Sequence, residues 1–110
     1  MSLTLRTDLG CTEVVLVDGG SLKTFYYVAG VLNESLNIKF LNKEDEFDSI
    51  SWDFKFKGQH LTLHYNIYNG ITVFPTKTSA AAIKDNKAVV DLANALEGKL
   101  FIQERTKIVA

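Results

Sequence analysis

Asp53 and His64 are the residues of this chain whose types and placement suit acid–base chemistry. A carboxylate facing an imidazole can orient the ring and favour its protonated form. The nearest hydroxyls on the same face are Ser51 and Thr62. Nothing in the sequence around them suggests an oxyanion hole or an activated nucleophile. The expectation is therefore an exposed cross-strand polar pair, a type of contact that contributes little to stability.

His60 and His64 lie four residues apart. On a helix that spacing would aim both rings at one metal ion. On a strand the two share a face but stand about 13 Å apart, from a rise of ~3.3 Å per residue. They cannot both coordinate one ion, so neither a metal site nor a cofactor is expected. Lys39, Lys55 and Lys57, with His60, give the same face a mild basic bias. Sheets that bind nucleic acid add exposed aromatic rings for base stacking, and only Phe74 is placed there. A nucleic-acid partner is not expected.

Three further stretches carry charge or reactivity. Glu44, Asp45, Glu46 and Asp48 form an acidic run without the spacing of a calcium loop, and read as a solvated loop or an acidic contact for a basic partner. Asp18-Gly19-Gly20-Ser21 precedes a helix but matches neither phosphate-binding glycine motif, so a turn and an N-cap account for it. Cys11 has no base or cation beside it in sequence to activate its thiol.

These residues must be positioned by a sheet. Along Ser49–Lys57, Ile50, Trp52, Phe54 and Phe56 alternate with polar residues, the period of a strand with one dry face. Leu61, Leu63, Tyr65 and Ile67 repeat the alternation after Gly58-Gln59, which suits a two-residue type II′ turn. That turn pairs Phe56 with Leu61, Phe54 with Leu63, Trp52 with Tyr65 and Ile50 with Ile67. It also sets Asp53 opposite His64. A three-residue loop, Tyr68-Asn69-Gly70, then pairs Ile67 with Ile71 and Tyr65 with Val73, and Pro75 ends the strand. The opposite face holds Ser51, Asp53, Lys55, Lys57, His60, Thr62, His64, Asn66, Thr72 and Phe74.

Around this meander, Thr4–Thr7 reads as a short strand or a loose end, and Glu13–Val17 as a strand rich in β-branched residues. Ser21 caps a helix whose apolar face is Leu22, Phe25, Tyr26, Ala29 and Leu32, although Gly30 costs it about 1 kcal/mol relative to Ala. Leu36–Phe40 alternates as a strand. Thr76–Asp85 is ambiguous, with a helix restart at Asp85-Asn86. The next helix carries a stripe of Val89, Leu92, Ala93 and Leu96 and ends at Gly98. Leu100–Glu104 is read as a final strand.

The expected order is thus β-α-β-β-β-β-α-β. It implies one α+β domain over residues 1–110, a two-layer sandwich of an antiparallel sheet with both helices on the dry face. The element order resembles the β-α-β4-α sandwiches that include the TATA-binding-protein half, a likeness of fold that implies no function.

Composition sets outer bounds. The chain has 110 residues, 46% hydrophobic and 23% charged, a balance that can bury a core without a metal or disulfide. Its net charge of −1 provides no global pull toward nucleic acid or anionic lipid. One cysteine excludes an internal disulfide. No run approaches the ~20 apolar residues of a membrane helix, and the N-terminus lacks the apolar core of a secretion signal. A cytoplasmic location is expected.

With no convergent catalytic set, the functional expectation is a non-enzymatic protein-interaction domain that binds through its open polar sheet face or an edge strand. Its binding residues would be Asp53, Lys55, Lys57, His60, His64 and Phe74. A bacterial inhibitor or immunity protein that neutralises a toxin would be one instance. Two alternatives stand beside it. One is a small-ligand binder or enzyme with a pocket between sheet and helices, using Tyr26, Tyr65 or the Asp53–His64 pair. The other is a structural homodimer joined through the sheet face or the C-terminal strand.

Overall fold

The alternating residues of Ser49–Phe56 and Gln59–Asn66 form two paired strands, and four more strands join them in one antiparallel sheet in the computed structural model. The structure describes residues 4–8, 10–46, 48–68, 70–77 and 83–100. In chain order the elements are β1 (Thr4–Asp8), β2 (Cys11–Val17), α1 (Leu22–Leu36), β3 (Phe40–Asp45), β4 (Ser49–Phe56), β5 (Gln59–Asn66), β6 (Gly70–Pro75) and α2 (Ile83–Leu96). Across the sheet the order is β1-β2-β6-β5-β4-β3. Helices α1 and α2 pack on the apolar face, which gives the two-layer α+β sandwich expected from the pattern.

The apolar face closes as its alternation requires. Val14, Leu16, Phe54, Leu61, Leu63, Ile71 and Val73 from four strands are fully buried under Phe25, Val28 and Leu32 of α1 and Val89, Leu92 and Leu96 of α2. The Phe25 ring meets Trp52 edge-on at 5.0 Å and lies 6.3 Å from Tyr65. Ser21 caps α1, its Oγ accepting from the Thr24 N–H at 3.4 Å. The stripe that α1 buries is Phe25, Val28, Ala29 and Leu32. Leu22 and Tyr26, expected in that stripe, are about half exposed. The contacts of Phe25 with the sheet rotate the helix so that Val28 turns in and Tyr26 turns to the rim.

Both hairpins differ from the expected register by two residues. The β4–β5 turn is Lys57-Gly58, with φ of 52° and 82°, so Phe56 faces Gln59. Positive φ at both central residues is the signature of a type I′ turn, whose twist matches the strands it joins. Trp52 therefore lies opposite Leu63 rather than Tyr65, and Ile50 opposite Tyr65. In the β5–β6 hairpin Tyr65 faces Ile71, Leu63 faces Val73, and Ile67 leaves the sheet for the exposed loop. Gly70 explains that second slip. A Cβ there would come within 2.2 Å of the Val17 carbonyl oxygen and 2.4 Å of the Gly19 nitrogen, so this glycine belongs where β6 passes the end of β2.

Two other expectations are corrected. Leu36–Phe40 is not a strand: Leu36 ends α1, Asn37 adopts the left-handed conformation at φ 55°, and Ile38 drops into the core. The acidic run is not all loop, since β3 extends through Glu44 and Asp45. An edge strand accepts charge because only one of its sides pairs and neither face need be dry. The element order is accordingly β-β-α-β-β-β-β-α, with the Thr4–Asp8 strand settled in a hairpin with β2. Helix α2 carries the expected stripe, and Gly98 follows it at φ +83°, with the Lys99 N–H donating to the Leu96 carbonyl at 2.8 Å. Leu100 is buried, whereas residues 101–104 of the expected last strand lie outside the described residues, as do residues 78–82 of the ambiguous stretch.

Candidate functional site

The sheet face opposite α1 and α2 collects the polar residues of the alternation, and several of them hydrogen-bond to one another. The two-residue slip decides the partners. Asp53 lies opposite Thr62, and His64 lies opposite Ser51. Thr62 Oγ1 donates to Asp53 Oδ1 at 2.7 Å. Its only hydrogen is thereby used, so the 2.9 Å contact with Thr76 has the Thr76 hydroxyl donating to Thr62 Oγ1. Thr62 and Thr72 are 5% and 1% exposed, although they lie on the face opposite the two described helices.

His64 is the centre of the second group. Ser51 Oγ lies 2.8 Å from Nδ1, and Asn66 Nδ2 lies 3.2 Å from Nε2. The Phe74 ring packs against the imidazole at 5.7 Å. Asn66 Oδ1 also accepts the Tyr68 N–H at 2.9 Å, an Asx turn that starts the β5–β6 loop. An amide nitrogen can only donate, so Nε2 of the neutral ring accepts and the ring proton sits on Nδ1. Nδ1–H then donates to Ser51 Oγ. This is the reverse of a catalytic dyad, in which the imidazole would take the hydroxyl proton. Burial pulls the His64 pKa below its ordinary value, and the Glu13 carboxylate opposes that shift.

The remaining expected site residues separate. Lys55 lies across from the exposed His60 on the open face. Lys57 does not belong to this face: it is in the turn, with Nζ 3.6 Å from Asp91 Oδ2 of α2. The turn slip carried it to the helix side. His60 borders a cleft of about 370 Å³ lined also by Gln59, Thr76, Lys77 and Asp85. None of those residues is Tyr26, Tyr65, Asp53 or His64, the groups expected in a pocket. Tyr65 is core, and Tyr26 stands at the rim 5.8 Å from the Trp52 ring.

At the β3 edge the acidic run has a structural use. Asp45 Oδ1 accepts from Trp52 Nε1 at 2.9 Å, and Lys43 Nζ sits 4.3 Å from the Trp52 ring centroid. Glu44, Glu46 and Asp48 remain exposed. Asn66, expected on this face, and Glu13, expected only as the start of a strand, were not among the candidate binding residues. Asn66 had a local signal, as an Asx residue two before a loop tyrosine. Glu13 had none, because its strand reaches β5 only across β6. Among the described residues no group of three or more His, Cys, Asp or Glu side chains is arranged to hold a metal, and no helix is long and apolar enough to cross a membrane.

The fold and this face describe an α+β sandwich with a polar, hydrogen-bonded sheet surface. The family model described as "Protein of unknown function (DUF3630)" matches residues 6–94, from β1 into α2, and the chain belongs to that family. No curated protein and no solved structure matches the chain.

Proposed function

We propose that this chain is a non-enzymatic protein-interaction domain that binds a protein partner through the sheet face opposite α1 and α2, with an inhibitor or immunity-type protein as one form that role would take. The observation that carries the reading is the prior arrangement of that face. Asp53, Thr62, Thr76, Ser51, His64 and Asn66 are already tied by hydrogen bonds, so binding orders few side chains.

Size is in keeping with this. A sheet of six strands, up to eight residues long, presents at most about 760 Å², from a ~4.8 Å strand spacing and a ~3.3 Å rise. A standard interface takes roughly 800 Å² from each partner, so the face with its rim loops suffices. The direction of the Ser51–His64 hydrogen bond weighs against hydrolytic use of the same residues, since the imidazole donates to the hydroxyl it would have to activate.

The test compares two lysines that the structure separates. Lys55→Glu on the open face is expected to lose a partner that the unaltered chain retains from lysate of its source. Lys57→Glu, on the helix side, is expected to retain it. Equal retention by both variants, with both folded by circular dichroism, would remove the open face as the binding surface. Light scattering of the purified chain at micromolar concentration checks the homodimer alternative, for which twice the chain mass is required.

A further inference from the structure

His64 holds a single amide between two claims. Its Nε2 accepts from Asn66 Nδ2 at 3.2 Å, and the oxygen of the same amide accepts the Tyr68 N–H at 2.9 Å. This satisfies every group only while the ring is neutral. A protonated imidazole carries N–H on both nitrogens. Its Nε2–H would then point at the Asn66 NH2, donor against donor. The amide can answer only by turning over, which brings Oδ1 to the imidazolium and leaves the Tyr68 N–H facing a donor. A charged hydrogen bond is roughly twice as strong as a neutral one, so the imidazolium prevails over the amide N–H.

We propose that His64 is a proton-operated latch on the β5–β6 loop: its protonation turns the Asn66 side chain and releases the Tyr68 N–H. The loop that is released carries Ile67 and Tyr68, which are 59% and 80% exposed apolar side chains at the end of the sheet. The latch stands whether or not the face binds a partner, and it supplies a way for acidity to reshape one rim of that face.

The groups around His64 set the terms. From β4, Ser51 is uncharged and accepts from Nδ1 in either protonation state, while the Asp53 carboxylate is engaged by Thr62. From β6, Thr72 lies directly opposite and Phe74 covers the ring, and neither titrates. From β2, the Glu13 carboxylate favours the imidazolium, but it is shared with Arg6 of β1 through an ion pair. On β5 itself, the other histidine, His60, is four residues away on the same face. Among these described groups, the conflict that protonation creates is at Asn66.

The test is a pH titration of the whole chain, labelled with ¹⁵N, from neutral to mildly acidic. Imidazole ¹⁵N shifts report the tautomer and midpoint of His64, and the Tyr68 amide reports the loop. The expected result is an Nδ1–H tautomer at neutral pH, with the Tyr68 amide losing its hydrogen-bond shift at the His64 midpoint. Its exchange rate, corrected for the intrinsic pH dependence, should rise about tenfold, as for one lost hydrogen bond. In Asn66→Asp a carboxylate can accept from both groups, so His64 should titrate at higher pH and the Tyr68 amide should stay protected through that titration. His60→Gln should leave the Tyr68 transition unchanged. An Nε2–H tautomer in the neutral chain, or a Tyr68 amide indifferent to the His64 titration, would overturn the latch.

Discussion

The two faces of the sheet are built from the same strands, yet they differ in what a register error does to them. On the helix side, Phe54 can lie beside Leu61 or Leu63 and still be buried among hydrocarbon. The hydrophobic effect depends on area and has no direction, so any slip that keeps the face keeps the core. On the open side the same two-residue slip replaces one set of contacts by another. Asp53 meets Thr62 instead of His64, and His64 meets Ser51. Hydrogen bonds need atoms at set distances and angles, so there the partner is the property. One face specifies the fold, and the other specifies the site only after the register is known.

The largest expected effect breaks the apolar side. Phe54 is fully buried, with the Phe40 ring 5.8 Å away, and Phe54→Ala should destabilise the chain by about 3–5 kcal/mol. Leu63→Met, a swap that keeps volume in the middle of the same face, should cost under about 1.5 kcal/mol. Urea unfolding of both variants measures the contrast. Comparable losses for the two would mean that packing detail, rather than apolar area, governs this face.

A directional contact should not forgive such a swap. Asn86 of α2 reaches the β1–β2 hairpin, its Oδ1 accepting the Thr12 N–H at 2.9 Å and its Nδ2 donating to the Gly10 carbonyl at 2.7 Å. The side chain acts as a short strand partner for two backbone groups. Asn86→Leu has nearly the same size but supplies neither bond; water can replace it at the exposed Gly10 carbonyl, so the loss falls mainly on the half-buried Thr12 N–H and should be about 1 kcal/mol. Asn86→Asp keeps the acceptor and loses the donor, so its unfolding midpoint in urea should fall between the other two. If Asn86→Leu unfolds with the unaltered chain, the contact is dispensable and the contrast between area and direction loses its second leg.

What was legible follows the same division. The strands β4, β5 and β6, the cap at Ser21 and the stripe of α2 rest on period and parity, which local sequence carries in full. The turn was misplaced because Gly58 is the residue that ordinarily takes positive φ first, whereas here Lys57 takes it as well, at 52°. Leu36–Phe40 mimicked a strand because a helix end, a left-handed Asn37 and a buried Ile38 happen to alternate in polarity. The Asn86 contact spans 74 residues in sequence to Thr12, and no neighbouring residue announces it. Apart from Lys57, the candidate residues share the open face as their parity implies, but their partners depended on a register that apolar pairing alone could not discriminate.

The smallest effect sharpens the polar side, and its sign can be worked out. An unfolded histidine titrates near pH ~6.5, and burial holds His64 below its ordinary value in the fold. Between those two values the unfolded chain binds more protons than the folded one. Stability therefore rises with pH through this window; the His64 contribution is fully present above the unfolded value and is lost as pH falls through the folded one. Replacing the group by a non-titrating amide in His64→Gln should flatten that limb of the curve when urea unfolding is followed from pH 7 toward pH 5. The ring is only partly buried, so solvent keeps the difference modest. Identical pH dependence in both proteins would mean that burial in the fold does not hold the His64 pKa below its unfolded value. A flatter curve for the variant would instead tie stability on the open face to the protonation of one residue, whereas the hydrocarbon contacts of the apolar face do not titrate.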